Sequence, residues 1–340
     1  MRYVLLLIVL LVSCTESKQP VTFTSTTIET LYTDSISVRA IELMGNSLAF
    51  AANNGVFGTI ELGTGKVRAN TISSPEGNPH FRAVAHTSND FFMLSIESPA
   101  LLYKTGGNGQ MQVVYKEEGE GVFYDAMTFL NDLDGIALGD SVGGCLSIIT
   151  TADGGNTWSK IPCSLLPEGI VGEGAFAASN SNIKTIGDNI WLATTSGRIL
   201  FSPDKGKSWQ AFSTPIRNTQ PTEGIYSIDF YDANTGIAIG GDYTEPDDAN
   251  ANKAITVDGG KTWNLLANNM EPGYKSCVQF VPGTNGYGIV AVGFTGISYS
   301  SDRGNSWREL SKESFYTLRF QNDSIAYAAG KNRIAKIKFQ

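Results

Sequence analysis

The sequence predicts an all-β protein built as a seven-bladed β-propeller, and three observations carry this. A tip motif, [ST]-x-D-x-G-x-[ST]-W, occurs four times: residues 151–158 (TADGGNTW), 202–209 (SPDKGKSW), 256–263 (TVDGGKTW) and 300–307 (SSDRGNSW). Its aspartates, Asp153, Asp204, Asp258 and Asp302, lie 51, 54 and 44 residues apart, and a period of about 40–50 residues marks a propeller, solenoid or array. A second motif alternates with it: an apolar strand, a turn, then a small-residue strand ending in Gly. No helical periodicity appears beyond a turn near 310–314, and 37 Gly with 41% hydrophobic residues in 340 suit a Gly-rich β protein with ample core.

The tip motif reads as the end of a hairpin. Asp and Ser/Thr side chains bond nearby backbone N–H groups, Gly supplies φ > 0, and the Trp of each copy (Trp158, Trp209, Trp263, Trp307) pins the returning strand into the core. The second motif is clear at 127–139, 228–240, 278–293 and 318–330, and looser at 38–51, 84–95 and 183–194. Alternating Ala and Gly suit crowded inner strands near a propeller axis. Seven such pairs predict seven blades, with degenerate tips at 61–66 (ELGTGK) and 104–110 (KTGGNGQ). The seventh blade has 334–339 as its third strand, and then the chain stops. The β-rich segment 21–31 (VTFTSTTIETL) is therefore expected to close the ring as its outer strand, which removes exposed sheet edges. Residues 21–340 form one domain.

The first residues read as a signal: Arg2, a short apolar run over 3–12, and 11–14 (LVSC). The run is too short for a permanent bilayer span. The last four residues resemble a bacterial lipobox. That resemblance implies a signal peptide over 1–13, lipidation of Cys14, and a tether over 14–20. The mature protein would be exported and anchored to a membrane, facing the periplasm or cell surface. Net charge is −8, or −9 once Arg2 is removed, and no basic cluster remains. This argues against a nucleic-acid partner and leaves membrane attachment to the lipid. The expected state is monomeric.

Cys145 and Cys163 are numbered symmetrically about residue 154, near a hairpin tip, so an antiparallel pair places them roughly opposite each other. In an oxidising compartment this predicts a Cys145–Cys163 disulfide. Cys277, in an apolar strand, reads as a buried thiol. His80 and His86 are the only histidines, and there is no GxSxG, HExxH, CxxC or dinucleotide glycine fingerprint. No metal site and no cofactor are predicted.

Loop connectivity sorts the candidate site residues. With the tip motifs on one face of the propeller, the loops at 139–144, 167–174, 222–226 and 240–248 fall on the other. They bring Asp140, Glu173, Glu223, Tyr226, Asp242 and Tyr243 around one rim, with Arg39 and Arg82 at matching positions near the start of their inner strands. Carboxylates, arginines and tyrosines at a funnel mouth suit a polar ligand or a protein loop.

The tip motif resembles the Asp box, or BNR repeat, of sialidase-like and related propellers. In that family it is a structural corner away from the binding face, so its residues receive no catalytic role. A sialidase-like reading would cast Arg39, Arg82 and Arg319 as a carboxylate-binding triad. Tyr226 with Glu223 or Glu173 would be the nucleophile pair, and Asp140 and Asp242 further candidate carboxylates. The family's Arg-Ile-Pro segment is missing, since Leu200 follows Arg198 and Ile199. Over the whole mature chain, the repeated DGGxTW boxes, the FxDxxxGxAxG inner strands, 172–180 (GEGAFAASN) and 240–243 (GGDY) resemble a different group. These are the lipoprotein propellers grouped with the photosystem II stability and assembly factor. That resemblance implies a non-catalytic, protein-binding scaffold of the cell envelope, with a glycan-active enzyme as the alternative. The partner is an envelope protein or a glycan.

Overall fold

The computed structural model describes residues 22–73, 77–107 and 109–340. The signal segment 1–13, the lipidation residue Cys14, the tether 14–20 and Val21 lie outside the described residues. The strands form six antiparallel sheets. Sheet 1 has six strands in the order Thr317–Phe320, Ile325–Phe339, Thr26–Met44, Ser47–Ala52, Val56–Glu61 and Val67–Thr71. The others have four each, innermost first. Sheet 2 is Phe81–His86, Phe91–Ser95, Ala100–Thr105 and Met111–Glu117, and sheet 3 is Tyr124–Phe129, Gly135–Val142, Cys145–Thr151 and Ser159–Lys160. Sheet 4 is Ile183–Ile186, Asn189–Ala193, Arg198–Ser202 and Gln210–Ser213. Sheet 5 is Ile225–Phe230, Gly236–Gly240, Lys253–Thr256 and Asn264–Leu265. Sheet 6 is Cys277–Phe280, Ile289–Gly293, Gly296–Ser300 and Arg308–Ser311.

The propeller therefore has six blades, and the expected count of seven is corrected. The cause is the 19-residue strand Thr26–Met44, which pairs with Ile325–Phe339 from Thr26↔Phe339 to Ser37↔Lys331 and then with Ser47–Ala52 from Val38↔Ala52 to Met44↔Ser47. Strands expected in separate first and last blades are thus hydrogen-bonded into one sheet. No Gly or Pro interrupts 32–37 (YTDSIS), so nothing local stops the strand. Within Ile325–Phe339 the chain turns back at Asn332 (φ 63°), and the Phe339 N–H returns to the Ser324 carbonyl at 2.8 Å. Phe23 seals this junction against Tyr299 and Phe339, with ring centroids 4.8 and 5.1 Å apart. The turn expected near 310–314 is also corrected: Leu310 lies in the strand Arg308–Ser311.

Burial falls from the inner strands to the outer ones, most sharply in sheet 5. Ile225–Phe230 and Gly236–Gly240 are wholly buried, whereas Asn264 and Leu265 are exposed. Between sheets 5 and 6, Ile237 and Ile239 pack on Val278, Phe280 and Ile289. Each such side chain contributes roughly 1.5–3 kcal/mol on burial, so contacts between sheets dominate the stability.

All four tip motifs adopt one geometry. In the third, Thr256 Oγ1 donates to Asp258 Oδ1 (2.8 Å) and accepts the Gly260 N–H (2.9 Å), while Asp258 Oδ1 and Oδ2 accept the N–H and hydroxyl of Thr262 (2.9 and 2.6 Å). The position before the Gly shared by all four copies is left-handed in each: Gly154 (φ 71°), Lys205 (61°), Gly259 (78°) and Arg303 (62°). Trp209, Trp263 and Trp307 donate Nε1–H to the carbonyls of Gly206, Gly260 and Gly304 (3.0, 2.9 and 2.9 Å). Trp158 departs from this: its buried Nε1 has no partner, and its ring instead meets Phe129 edge-on at 5.8 Å. Cys145 and Cys163 form a disulfide with Cα atoms 5.6 Å apart. The pairing Thr150↔Ser159 places their register one residue from symmetric, and the bridge closes just beyond the two-residue outer strand. Cys277 is a buried free thiol.

Candidate functional site: an axial cup

One segment closes the propeller axis. Residues 174–182 leave the loop after sheet 3 and cross the centre before entering Ile183–Ile186, bonding to every other sheet on the way. Asn180 Nδ2 donates to the Val84 carbonyl (2.7 Å) and its Oδ1 accepts from Met127 N–H (2.9 Å). Ser181 reaches Ser227 Oγ (2.7 Å) and accepts from Ile228 N–H (2.9 Å). Ser179 Oγ donates to the Ser276 carbonyl (2.6 Å), and Thr317 Oγ1 donates to the Ser179 carbonyl (2.9 Å). Arg319 Nη2 binds the Asn180 carbonyl at 3.0 Å and its Nε binds Glu42 at 3.0 Å. Small polar residues suit this plug, because a buried backbone crossing six sheets must have its polar groups satisfied.

Phe176, Ala177 and Ala178 of the plug are the floor of a cavity of about 390 Å³, walled by Arg39, Arg82, Tyr226, Tyr243, Tyr274, Phe294 and Tyr316. Tyr226 stacks on Phe176 (3.7 Å, 3°) and meets Tyr274 edge-on (4.8 Å). Tyr243 and Phe294, 49% and 40% exposed, form the lip. Burial pushes the Tyr226 and Tyr274 phenols well above their ordinary range, so both stay neutral.

The two arginines enter by a shared device. Arg39 falls at a β-bulge between Val38 and Ala40, Arg82 at one between Phe81 and Ala83, and Tyr226 at one between Ile225 and Ser227. The extra residue leaves the ladder and its side chain is re-aimed toward the axis. Arg82 Nη1 donates to the Ala177 carbonyl (3.2 Å), Arg39 Nη1 to that of Ala178 (3.5 Å), and Arg39 lies over the Tyr316 ring at 4.2 Å. Neither guanidinium has an ion-pair partner among the described residues, and each keeps a buried Nε without a hydrogen-bond partner. Burial, and then Arg39, pull Arg82 down to about 10, so it remains cationic at neutral pH. Burial and the same two arginines pull nearby His80 down to about 4 and keep it neutral.

The expected rim carboxylates behave differently. Glu173 is 1% exposed and holds Arg198 by two bonds, 2.6 and 2.5 Å. Glu223 pairs with Arg217 (2.8 Å) and accepts from Thr219 N–H and Oγ1 (both 2.8 Å). Asp242 accepts from Thr222 Oγ1 and from the Thr244 N–H and hydroxyl, and Asp140 accepts the Ala175 N–H at 3.1 Å. Of the residues assigned to the rim, Arg39, Arg82, Tyr226 and Tyr243 meet in the cup, while Asp140, Glu173, Glu223 and Asp242 brace its loops. Arg319 is committed to Glu42 and the plug, so Arg39, Arg82 and Arg319 do not assemble as a triad. Sequence reasoning missed Phe176, Tyr274, Phe294 and Tyr316, and the buried Asp125 beside the cup. The signal for Asp125 was present: Val38-Arg39-Ala40, Phe81-Arg82-Ala83 and Tyr124-Asp125-Ala126 align at the start of consecutive inner strands. No cluster of three or more His, Cys, Asp or Glu side chains suited to a metal occurs among the described residues. A larger cavity, about 550 Å³, lies between sheets 3 and 4 on the tip-motif side, where its Lys205 and Asp134 neutralise each other at 2.8 Å.

Fold and site together define a β-propeller with a plugged axis and a cationic, aromatic cup. No protein-family model and no curated protein matches the chain. Among solved structures, YCF48 bound to D1 peptide is similar over 94% of this chain and 98% of its own, with a TM-score of 0.65 and 12% identity. YCF48 from Cyanidioschyzon merolae is similar over 93% and 98% (0.63, 15%), and the structure of U3-55K over 92% and 98% (0.66, 13%). At such identities the likeness shows the propeller fold alone. The propeller fold that the sequence resemblances imply is thereby shown.

Proposed function

We propose that this chain is a non-catalytic, protein-binding propeller of the bacterial cell envelope, anchored by a lipid on Cys14, whose axial cup takes an acidic peptide segment of its partner. One observation carries the reading: two half-buried guanidiniums without ion partners stand in an aromatic-walled cup on an otherwise acidic protein. A charge partly withdrawn from water without a counter-ion is costly, so a site that keeps two of them suits an anion. The aromatic walls offer apolar area and phenol donors that fit a peptide. The D1 peptide bound to structurally similar YCF48 supports a peptide as the ligand. The bonding of Glu173, Glu223 and Asp242 into loops favours binding over glycoside hydrolysis, which needs two carboxyl groups facing a sugar.

The test is fluorescence anisotropy with a labelled oligoglutamate peptide and an oligolysine control. Oligoglutamate binding that drops at least about tenfold in Arg39→Gln and Arg82→Gln is expected. Equal binding of both peptides, or turnover of fluorogenic glycosides abolished by Glu173→Ala, would overturn the reading. Anchoring is tested separately, by release of Cys14→Ala protein from membranes.

A further inference from the structure

Asp125 occupies the same bulged position as Arg39 and Arg82. It is skipped between Tyr124 and Ala126 in the innermost strand of sheet 3, next to the strand of sheet 2 that carries Arg82. Three consecutive inner strands thus aim Arg39, Arg82 and Asp125 at the axis in that order. Arg82 reaches the cup, whereas Asp125 is 0% exposed, roofed by the plug, and neither of its oxygens has a hydrogen-bond partner. The Asp140 carboxyl and the Ala177 N–H are the polar groups set against it, the first raising its pKa and the second lowering it. Arg82 Nε, on the neighbouring strand, is an equally unpartnered buried donor. A buried donor and a buried acceptor, both unpartnered and carried by neighbouring strands, form a latent ion pair.

We propose that Asp125 is a proton-operated gate on the cup: while it holds its proton, Arg82 serves the ligand, and once ionised it takes Arg82 as its own counter-ion and affinity for an anion falls. This rests on the reading of the cup as an anion site. Burial and then the Asp140 carboxyl favour the protonated form, pushing Asp125 well above the usual carboxylate range against the pull of Arg82. The other groups acting on Arg82 are Arg39, which repels it, and Glu97 and Tyr316, which favour its charge. His80 is already neutral above about 4, so it adds no slope near neutrality. Ionisation releases one proton to water and forms the Asp125–Arg82 pair. The same guanidinium cannot be fully spent on both the pair and the ligand.

The experiment measures oligoglutamate anisotropy from about pH 6 to about pH 9 at fixed ionic strength, a range in which the probe's carboxylates stay ionised. Wild type is compared with Asp125→Asn, which keeps the shape of the neutral acid. Wild-type affinity is expected to fall at least about fivefold across this range, while Asp125→Asn keeps its low-pH affinity. A wild-type affinity independent of pH overturns the gate and leaves the anion cup intact. A loss that persists in Asp125→Asn belongs to Arg82 itself and also overturns it. Absence of binding at every pH in both proteins overturns the cup reading and the gate with it. Where Asp125→Asn fails to fold, Asp125→Leu supplies the uncharged comparison on the same terms.

Discussion

Arg82 and Asp125 hold the same bulged position in the innermost strands of adjacent sheets, and each presents buried polar atoms that meet no hydrogen-bond partner. One side chain opens into the cup and the other is sealed beneath the plug. The propeller repeat makes the two positions equivalent, and the plug makes them unlike.

That burial has a consequence for stability that needs no ligand. Asp125 has a folded-state value above its unfolded value of about 3.9, so the folded state binds more protons between the two. The contribution is fully present below about pH 4 and is lost as pH rises through the folded value. Asp125→Asn is expected to remove this slope and to raise Tm relative to wild type at neutral and higher pH, as read by thermal melts across pH.

The tip motifs give the opposite sign. Asp153 is held down to about 2, chiefly by its bonds from the Thr157 hydroxyl and N–H. Asp258 also lies at about 2: burial pushes it up, and the bonds from Thr262 and Thr256 outweigh that. Their contribution is present above the unfolded value of about 3.9 and is lost as pH falls toward about 2. Asp258→Ala is expected to cost about 1–3 kcal/mol near neutral pH, with a smaller difference from wild type in acid, by urea denaturation.

Gly174 starts the plug where it passes Asp140, and a Cβ at that position would overlap the Asp140 carboxylate. Gly174→Ala is expected to cost more than about 1 kcal/mol and to weaken oligoglutamate binding, because the floor of the cup shifts. Adding Asp140→Ala makes room, so a double-mutant cycle should show a favourable coupling between the two sites.

The Cys145–Cys163 bridge closes a loop of 18 residues around the first tip motif. Reduction, or Cys145→Ser with Cys163→Ser, is expected to lower stability by about 2–4 kcal/mol. Peptide binding should persist in the folded fraction, since the bridge lies outside the cup. Denaturant curves with and without reductant check both points.

Much of the fold was readable because its signals are local. Asp258, Gly260, Thr262 and Trp263 fix their own hairpin through bonds that span at most four residues. Arg39, Arg82, Tyr226 and Tyr243 could be assigned to one face because alternation of strands and loops fixes which end of a sheet a loop occupies. Glu173 shows the limit. It ends the loop that leads into the plug, and its bond to Arg198, 25 residues on, turns a candidate acid into a brace.

The chain by itself determined an all-β propeller, the geometry of its tips, the cysteine pair and the face that carries the cup, because each depends on residues close in sequence. Only the tertiary structure decided that there are six sheets, since one strand, Thr26–Met44, pairs with partners from both ends of the chain. It alone decided that residues 174–182 fill the axis, and that this plug leaves Arg82 open while burying Asp125. Those outcomes depend on hydrogen bonds and burial between segments 46 to 313 residues apart, where pairing is set by packing and leaves no local pattern to read.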